Sequence, residues 1–385
     1  MRSLTARCQS GVSCHSPAVR PVRTNPVTST SGKESTHGYA GRVVELVIGV
    51  DTHKDTHTAA VVVAATGAMI QQVTVPAAPA GYRQLLKLAG QHQGQRVWAI
   101  EGTRFLQGHA EQVVELDRPK RAARRHGAKS DPLDATRAAR EALGRDQLAQ
   151  PRAAGHRAAL QVRLTARRSA VQASTDAQRQ LHALVVAAPD PLRGRLRSLT
   201  THQLVIACGR LRLRAHWDIE TTTFAASLRA LGRRIQLFQA EIAEHTRAIT
   251  ALVRAWRPDL LGCCGVGPIV AAIVLCAWSH PGRCRTDAAF AMLGGAAPIP
   301  ASSGQTVRVR LNRSGDRQLN QALHLIVLTR LRYDPATRVY AQRRRAEGKT
   351  NREIRRCLVR YVARQLYRIL EANPGFDPTQ ERPTE

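Results

Sequence analysis

Two short apolar runs around a polar turn constrain the fold of this chain more than any other feature. Leu46 to Val50 reads Leu-Val-Ile-Gly-Val and ends in Asp51, and a second run begins at Thr58 and reads Thr-Ala-Ala-Val-Val-Val-Ala-Ala. Runs this short and rich in β-branched residues predict two strands of a hairpin with largely buried faces. Asp51 then ends a central strand, where a carboxylate is costly unless a cation, usually a metal ion, lies beside it. A turn aspartate that caps the strand end is the alternative.

A second predicted strand also ends in an acid. Arg96-Val-Trp-Ala-Ile100 has the composition of a buried strand, and Glu101 follows it directly. Between the hairpin and this strand, the sequence predicts a further short strand and a helix near Gly81. Two strands that each carry a carboxylate at the same end favour a cleft shared by both acids.

A predicted helix adds two more acids. Ser130 is a favourable N-cap, and Asp131 and Asp134 are three residues apart, which puts them on one face of the first turn. Acids that only complement the helix dipole are the alternative for either residue alone. Together with Asp51 and Glu101 they supply hard oxygen ligands, which select Mg2+ or Mn2+. Two such ions about 4 Å apart can clamp the attacking and leaving oxygens in a phosphoryl transfer.

The charge of the chain indicates a polyanionic partner. The 385 residues include 58 Lys and Arg against 28 Asp and Glu, which gives a formal net charge of +30. Nucleic acid is the first candidate and a membrane surface the alternative, although no apolar run is long enough to span a bilayer. Eight cysteines without a CxxC motif support neither a zinc site nor a disulfide framework. This favours a reducing compartment, so we expect a cytoplasmic, nucleoid-associated protein.

Composition and periodicity also predict how the chain is divided. The predicted segments are a disordered extension at 1–42, an α/β domain at 43–150, a helical linker at 151–258, a mostly helical domain at 259–370 and a disordered tail at 371–385. In the linker, apolar residues recur in steps of three and four from Leu228 to Leu252. This pattern predicts a coiled coil or a long helical hairpin and favours a homodimer or tetramer.

A loop with two adjacent hydroxyl groups precedes a basic run in the C-terminal part. Ala297-Pro-Ile-Pro-Ala-Ser302-Ser303-Gly304 joins prolines that restrict the backbone to a glycine that allows a sharp turn. The candidates for binding nucleic-acid phosphates are Lys129, Arg308, Arg310, Arg313 and Arg317. A solvated basic face is the alternative. Upstream, Gly265-Val-Gly267 before an apolar helix resembles a helix–hairpin–helix turn.

With these motifs together, the chain resembles a DEDD insertion-sequence transposase of the one-ten/one-sixteen family. The resemblance covers about residues 46 to 370 and is carried by VIGVDTHKDTH, WAIEG, VVELDRPKR, KSDPLDA, GVGP, AAFAMLGGAAPIPASSG, RLNRSGDRQLNQALH and EGKTNREIRRCLVRYVAR. It implies an RNase H-like (RuvC-like) domain whose metal-binding acids are Asp51, Glu101, Asp131 and Asp134. It also implies a serine nucleophile in the C-terminal domain, Ser303 with Ser302 as the fallback.

The resemblance further implies partners and leaves two rival functions open. Donor and target DNA would be recognised through a structured bridge RNA, which agrees with an aromatic content of only 4% and hence few platforms for stacking bases. One rival is a RuvC-like junction nuclease that cuts with metal-activated water. The other is a catalytically inactive nucleic-acid-binding protein, because the segment from Glu101 to Val113 is shorter than the family pattern implies.

Overall fold

The structure of the protein is a computed structural model that describes residues 38–39, 42–100, 106, 111–116, 131–145, 150–302 and 309–372. It separates into one unit that ends at Val43 and a second that begins at Val44. In the first unit, Gly38–Tyr39 (β1) pairs antiparallel with Arg42–Val43 (β2). The extension predicted over 1–42 therefore ends in a short strand pair, and the rest of it lies outside the described residues. So does nearly all of the predicted tail at 371–385.

A five-stranded mixed sheet opens the second unit. Its strands are β3 Leu46–Thr52, β4 Thr56–Val63, β5 Met69–Pro76, β6 Arg96–Ile100 and β7 Val113–Glu115, in the spatial order β5-β4-β3-β6-β7. β3, β4 and β5 pair antiparallel, whereas β6 runs parallel to β3 and β7 parallel to β6. The predicted hairpin and the predicted strand before Glu101 are confirmed, and the α/β class is confirmed with them.

Helices cover both faces of this sheet. The helix α1, Pro79–Gly90, buries Leu85 and Leu88 in a core that includes Ile48, Val50 and Trp98 from one face. The helix α2, Asp131–Leu143, packs on β3 and β4 from the opposite face. α2 begins at Asp131, as the sequence predicts. Because α2 presents buried alanines rather than large side chains, it lies close to the sheet.

The remainder of the described chain is mainly helical. Its elements are α3 Gly155–Ala187, α4 Asp190–Leu196, α5 Thr201–Gly209, α6 Ile219–Trp256, a 3₁₀ helix Pro258–Gly262, α7 Pro268–Trp278, α8 Asp287–Leu293, β8 Ile299–Pro300, β9 Val309–Arg310, α9 Arg317–Tyr333, α10 Pro335–Ala346 and α11 Asn351–Glu371. Trp278 and Phe290 are fully buried in the largest apolar core, which α7, α9 and α11 enclose. In the part of the chain described, no helix has the length and apolarity needed to cross a membrane.

The predicted heptad helix packs within its own chain. α6 runs along α3, so the pattern from Leu228 to Leu252 forms a long helical hairpin. Its two ends are well buried, whereas Phe238 and Ile242 in the middle are only half-buried. There α3 offers small side chains instead of large apolar ones. His245, on the same seam, is hydrogen-bonded to Arg163 at 3.0 Å, which satisfies a polar group in a partly buried position.

The sequence also predicts one continuous helix from Thr337 to about Leu370, and this prediction is wrong, since the structure has two helices there. Gly348 takes a φ of +78°, a left-handed conformation that ends α10. Thr350 then begins α11 with a capping box, in which its side chain accepts from the backbone N–H of Glu353 and Glu353 accepts from that of Thr350. Both signals depend only on neighbouring residues and can be recognised in the sequence.

The cysteines in the described segments carry no disulfide bonds. Cys208, Cys276 and Cys284 are buried, as expected for small apolar residues. Burial raises the pKa of the Cys208 thiol to about 11 and that of Cys276 to about 12. These thiols are therefore protonated and poorly reactive at neutral pH.

Candidate functional site

Asp51 lies near the end of the central strand β3. Its side chain is 25% exposed, and His53 Nε2 donates a hydrogen bond to Asp51 Oδ2 at 3.1 Å. Across the hairpin Asp51 pairs with Thr58, whose hydroxyl is hydrogen-bonded to that of Thr74 at 3.0 Å. Asp51 is thus held by a rigid strand on one side and open to solvent on the other. The contact with His53 has no counterpart in the sequence analysis.

Gly49 brings α2 onto the same face of the sheet as Asp51. Side chains alternate along a strand, so residues 49 and 51 share a face. A Cβ added to Gly49 would lie 2.1 Å from the carbonyl oxygen of Ala135 and 2.5 Å from the backbone nitrogen of Ala139. Only glycine allows this approach of helix and strand. The sequence gives no signal for the role of Gly49, because the contact joins residues far apart in the chain.

The N-terminus of α2 points toward the Asp51 end of β3. Arg140, near the C-terminus of α2, donates from Nε to the carbonyl oxygen of Gly67 at 3.0 Å. Gly67 lies in the turn after β4, and this turn is at the opposite end of β3, because Leu46 pairs with Val63. The first turn of α2 therefore lies on the Asp51 side of Ala135.

Asp134 is the second acid whose side chain the structure describes. It is next to the buried Ala135, its side chain is 30% exposed, and it pairs with Arg137 at 3.0 Å. The first turn of α2, which carries Asp134, thus lies on the sheet face of Gly49 and toward the end of β3 that carries Asp51. We name the four acids that the sequence predicts as ligands, Asp51, Glu101, Asp131 and Asp134, the acid edge.

Glu101 and Asp131 are the other two predicted acids. Glu101 follows Ile100 and lies outside the described residues, as does the side chain of Asp131. Ala99, two residues before Glu101, pairs with Gly49 in parallel register. In the described segments, no three His, Cys, Asp or Glu side chains form a group that could hold a metal ion.

A short hairpin frames the loop with the two serines. β8 and β9 pair antiparallel, with Ile299 opposite Arg310 and Pro300 opposite Val309. We name residues 299–310 the serine hairpin. Ser302 is exposed, while Ser303, Gly304 and Arg308 lie outside the described residues. The sequence predicts a rigid loop here but not the strand pair that closes it.

Asn312 anchors the base of the serine hairpin to α8. It is 6% exposed, and its Nδ2 donates to the carbonyl oxygen of Met292 at 3.1 Å. Its Oδ1 accepts from the backbone N–H of Ser314 at 2.9 Å and from the Ser314 hydroxyl at 2.7 Å. Both the NH2 group and the carbonyl oxygen of the Asn312 side chain are therefore hydrogen-bonded, and these contacts hold the chain in place just after β9.

Gly315 and Asp316 continue this anchor into α9. Gly315 has a φ of +100°, and an added Cβ would lie 2.4 Å from the carbonyl oxygen of Leu293. Asp316 donates its backbone N–H to that same oxygen at 2.7 Å, and its carboxylate caps α9 by accepting from the N–H groups of Gln318 and Leu319. The sequence marks this stretch as a distinctive motif, but the structural roles of Asn312, Gly315 and Asp316 went unassigned.

The predicted phosphate-binding residues fall into two groups. Arg310, Arg313 and Arg317 are exposed around the base of the serine hairpin, where they are free to meet a polyanion. Lys129 and Arg308 lie outside the described residues. Asn312, between the first two arginines, is buried, so this short stretch presents cations outward and its polar anchor inward.

The predicted helix–hairpin–helix turn differs in its first helix. The element before the turn is the 3₁₀ helix Pro258–Gly262, and α7 begins at Pro268 after Gly267. Gly265 has a φ of +84° and lies against the backbone of Ile326 in α9. The glycine therefore serves the packing of the turn against α9.

Comparison with known proteins agrees with the two regions described above. A model of the DEDD transposase domain of IS110, described as Transposase, matches residues 48–188. A second, described as Transposase IS116/IS110/IS902 family, matches residues 259–342. The first match contains Asp51, Asp131 and Asp134, and the second contains the serine hairpin and its anchor.

Two curated relatives come from insertion elements. The insertion element IS110 uncharacterized 43.6 kDa protein of Streptomyces coelicolor is 34% identical over 158 residues, 40% of this chain and 36% of the relative. The insertion element IS900 uncharacterized 42 kDa protein of Mycobacterium paratuberculosis is 28% identical over 152 residues, 38% of each protein. The alignments thus span less than two fifths of either relative. Both domain models match this one chain in sequence order, so two of its segments are similar to the two domains of IS110-type insertion-element transposases.

Proposed function

We propose that this protein is a DNA transposase in which the acid edge and the serine hairpin act on the same scissile phosphate. The observation that carries the proposal is the close contact of α2 with Gly49, which brings the first turn of α2 toward the Asp51 end of β3. In this proposal, acids from a strand end and from a helix start share one open edge of the sheet. The order of the five strands supports an RNase H-like, RuvC-like domain.

The described acids fit a site for Mg2+ or Mn2+. Asp51 and Asp134 are partly exposed carboxylates, and carboxylate oxygens are the ligands that these hard cations prefer. Glu101 and Asp131 would complete the set. A bound cation would supply charge stabilisation at the phosphate and help to activate the nucleophile. His53, through its hydrogen bond, would hold the Asp51 carboxylate in one orientation.

In this proposal the serine hairpin supplies the nucleophile. The Ser303 Oγ forms a bond to phosphorus, its proton passes to a nearby base, and one bond from phosphorus to a sugar oxygen breaks. The freed sugar oxygen takes up a proton, and a hydroxyl of another strand later displaces the serine. Arg308, Arg310, Arg313 and Arg317 would stabilise the charge that develops on the phosphate oxygens. Ser302 remains the fallback nucleophile.

Recognition of DNA would be delegated to a structured guide RNA. The net charge of +30 supports binding to nucleic-acid backbones, while the 4% aromatic content leaves few side chains for stacking on bases. Lys129 would contribute to the backbone contacts. Purified protein stripped of RNA is therefore expected to bind DNA without choosing a site, and selection of a unique site by RNA-free protein would contradict this part of the proposal.

In the proposed domain organisation, each domain has a separate role. The RuvC-like domain would comprise 43–150, the helical hairpin 151–258 and the serine-bearing domain 259–370. A homodimer or tetramer would form through the helical hairpin, whose middle leaves Phe238 and Ile242 only half-buried. Light scattering of the full chain, with and without nucleic acid, measures this directly.

A strand-cleavage assay with Mg2+ distinguishes the proposal from its rivals. If Ser303 is the nucleophile, Ser303→Ala abolishes cleavage and recombination while DNA binding persists, and Ser302→Ala has a much smaller effect. A junction nuclease that uses water would cut DNA normally as Ser303→Ala. An inactive nucleic-acid-binding protein would cut in neither form, with or without added Mg2+ or Mn2+.

A further inference from the structure

A surface cavity of about 370 Å³ lies on α11, away from the acid edge and the serine hairpin in sequence. Its lining comes from one stretch of this helix: Tyr361, Arg364, Gln365, Arg368 and Ile369. These residues follow helical spacing, so they present one continuous face. The volume is within the range of small-ligand pockets, about 300–1,000 Å³.

The cavity lies in a strongly basic part of the chain. From Arg317 to Glu371 the sequence has 14 Lys and Arg against 4 Asp and Glu. Within the cavity, Arg364 Nε donates to Asp287 Oδ2 at 2.5 Å, which fixes the direction of its guanidinium group. Arg368 is exposed and forms no ion pair with any acid in the described segments. Arg364 is thus positioned by its ion pair, and Arg368, which lies near enough to Asp287 to help lower the pKa of that carboxyl, is the more exposed cation of the two.

The remaining lining residues add an aromatic face and hydrogen-bonding groups. Tyr361 is 53% exposed, and its ring meets that of Tyr340 edge-on at 5.7 Å, which leaves ring surface open to solvent. Gln365 Oε1 accepts from Arg330 Nη1 at 2.7 Å, and this contact orients the amide so that its NH2 group can donate elsewhere. An oriented amide next to an exposed ring can form hydrogen bonds to the edge of a flat polar molecule that is stacked on that ring.

We propose that this cavity binds one unpaired nucleotide of a single strand. The base would stack on Tyr361, Gln365 would donate to the base edge, and Arg368 with Arg364 would hold the adjoining phosphate. A base stacked inside an intact duplex has no free face to stack on the exposed Tyr361 ring, so the ligand is single-stranded or has its base turned outward. The inference uses the proposed function only in taking nucleic acid as the partner, and it requires no catalysis.

Binding of labelled single strands to the full-length protein tests this site. The probes are an oligothymidine and an oligouridine of about 12 nucleotides, with a DNA duplex of equal length. Tyr361→Leu keeps an apolar side chain but removes the stacking surface, and we expect single-strand affinity to fall about tenfold or more. Duplex affinity should change little. Tyr333→Leu is the matched control, because Tyr333 is 62% exposed but does not line the cavity.

Arg368→Gln tests the phosphate contact separately. We expect it to reduce by about one the slope of log affinity against log salt for the single strand, whereas Arg352→Gln, on the same helix but outside the cavity, should leave single-strand affinity near that of the parent. Crosslinking of a strand that carries 5-iodouracil should attach it to Tyr361. A loss confined to the DNA or to the RNA probe identifies which strand occupies the site.

Three outcomes overturn the proposal. They are equal effects of Tyr361→Leu and Tyr333→Leu, equal loss of duplex and single-strand binding, and crosslinks that map away from α11. Thermal unfolding of each variant shows whether it is folded, and Tyr361→Phe, which retains the ring, should bind as the parent does. Because no step requires strand cleavage, failure of this site leaves the proposed reaction intact, and failure of the reaction leaves this site intact.

Discussion

The acid edge and the serine hairpin are positioned by different forces. At the acid edge, the contact between α2 and β3 consists of glycine and alanine backbone in close approach, and Ala135 and Ala139 are fully buried. At the serine hairpin, the anchor consists of hydrogen bonds: Asn312 donates to the carbonyl oxygen of Met292 in α8 and accepts from the N–H of Ser314, and Asp316 accepts from the N–H of Gln318 in α9. One region is held by shape and the other by polar pairing.

This difference determines how each region should fail. There is no free space between closely packed backbone segments, so a single added methyl group must move the helix and every acid on it. A polar anchor fails when one donor or acceptor loses its partner, and the cost is that of a buried unpaired group. Substitutions of the packing and anchor residues move a catalytic group, whereas substitution of an acid removes one. The two effects can therefore be measured separately.

Removing an acid is expected to have the largest effect. Asp51→Asn should lower strand cleavage by about 10³-fold, about 4 kcal/mol in the barrier, because the amide cannot bind a cation as a carboxylate does. Stability should change little, since the partly exposed pair of Asp51 and His53 contributes less than about 1 kcal/mol. Asp55→Asn, at an exposed position of the same turn, is the control and should cleave normally. Full cleavage by Asp51→Asn would remove the acid edge from the reaction.

A substitution that displaces α2 is expected to have the second largest effect. Gly49→Ala places a methyl group 2.1 Å from the Ala135 carbonyl oxygen, so α2 must shift and the first-turn acids shift with it. We expect a loss of about 3 kcal/mol in unfolding free energy, together with most of the cleavage activity. Chemical denaturation measures the first and the cleavage assay the second. Gly90→Ala is the matched control, because a Cβ there meets no atom within 4 Å. A stable and active Gly49→Ala protein would contradict the packing account.

Breaking the polar anchor should have a smaller effect on stability. Asn312→Ala removes the acceptor of the Ser314 N–H and one of two donors to the Met292 carbonyl oxygen, which still accepts from the N–H of Gly295, at a cost of about 2 kcal/mol. The serine hairpin would then be less well positioned, so cleavage should fall while DNA binding persists. Asn312→Asp keeps the acceptor for Ser314 but loses the donor to Met292, and its stability should lie between those of Asn312→Ala and the parent. Equal stability of all three proteins would show that the amide does not anchor the hairpin.

The smallest effect is expected at the cap of α9. Asp316→Ala removes an N-cap that accepts from two backbone N–H groups and should destabilise the protein by about 1 kcal/mol. Asp316→Asn retains most of the capping and should recover much of that stability. Thermal unfolding compares the three proteins. If Asp316→Ala abolishes cleavage without loss of stability, its carboxylate has a role beyond the cap.

Much of this arrangement was accessible from local sequence patterns. The β3–β4 hairpin, the acid near the end of β3 and the start of α2 at Asp131 depend on neighbouring residues, and such signals survive without tertiary information. The break between α10 and α11 was missed although its signals, Gly348 and the pair Thr350 and Glu353, are equally local. It was missed because the arginine-rich sequence on both sides favours helix.

The contacts that position the site were not accessible in this way. The need for glycine at residue 49 arises from the backbone of Ala135, and the role of Asn312 arises from the carbonyl oxygen of Met292. Backbone groups are nearly the same in every residue, so the sequence does not indicate which backbone group will contact Gly49 or Asn312. The roles of the acids and serines stay predictions, whereas the packing around Gly49 and the contacts of Asn312 are known only from the structure.

The central claim is that the two regions act on one phosphate, and mapping a covalent protein–DNA adduct tests it most directly. The protein would be incubated with Mg2+ and a nicked DNA substrate that traps the intermediate, then digested and the attached residue identified by mass spectrometry. We predict an adduct on Ser303 in the parent protein and none in Asp51→Asn, which should still bind the DNA. An adduct that persists in Asp51→Asn, or one attached outside the serine hairpin, would contradict the account.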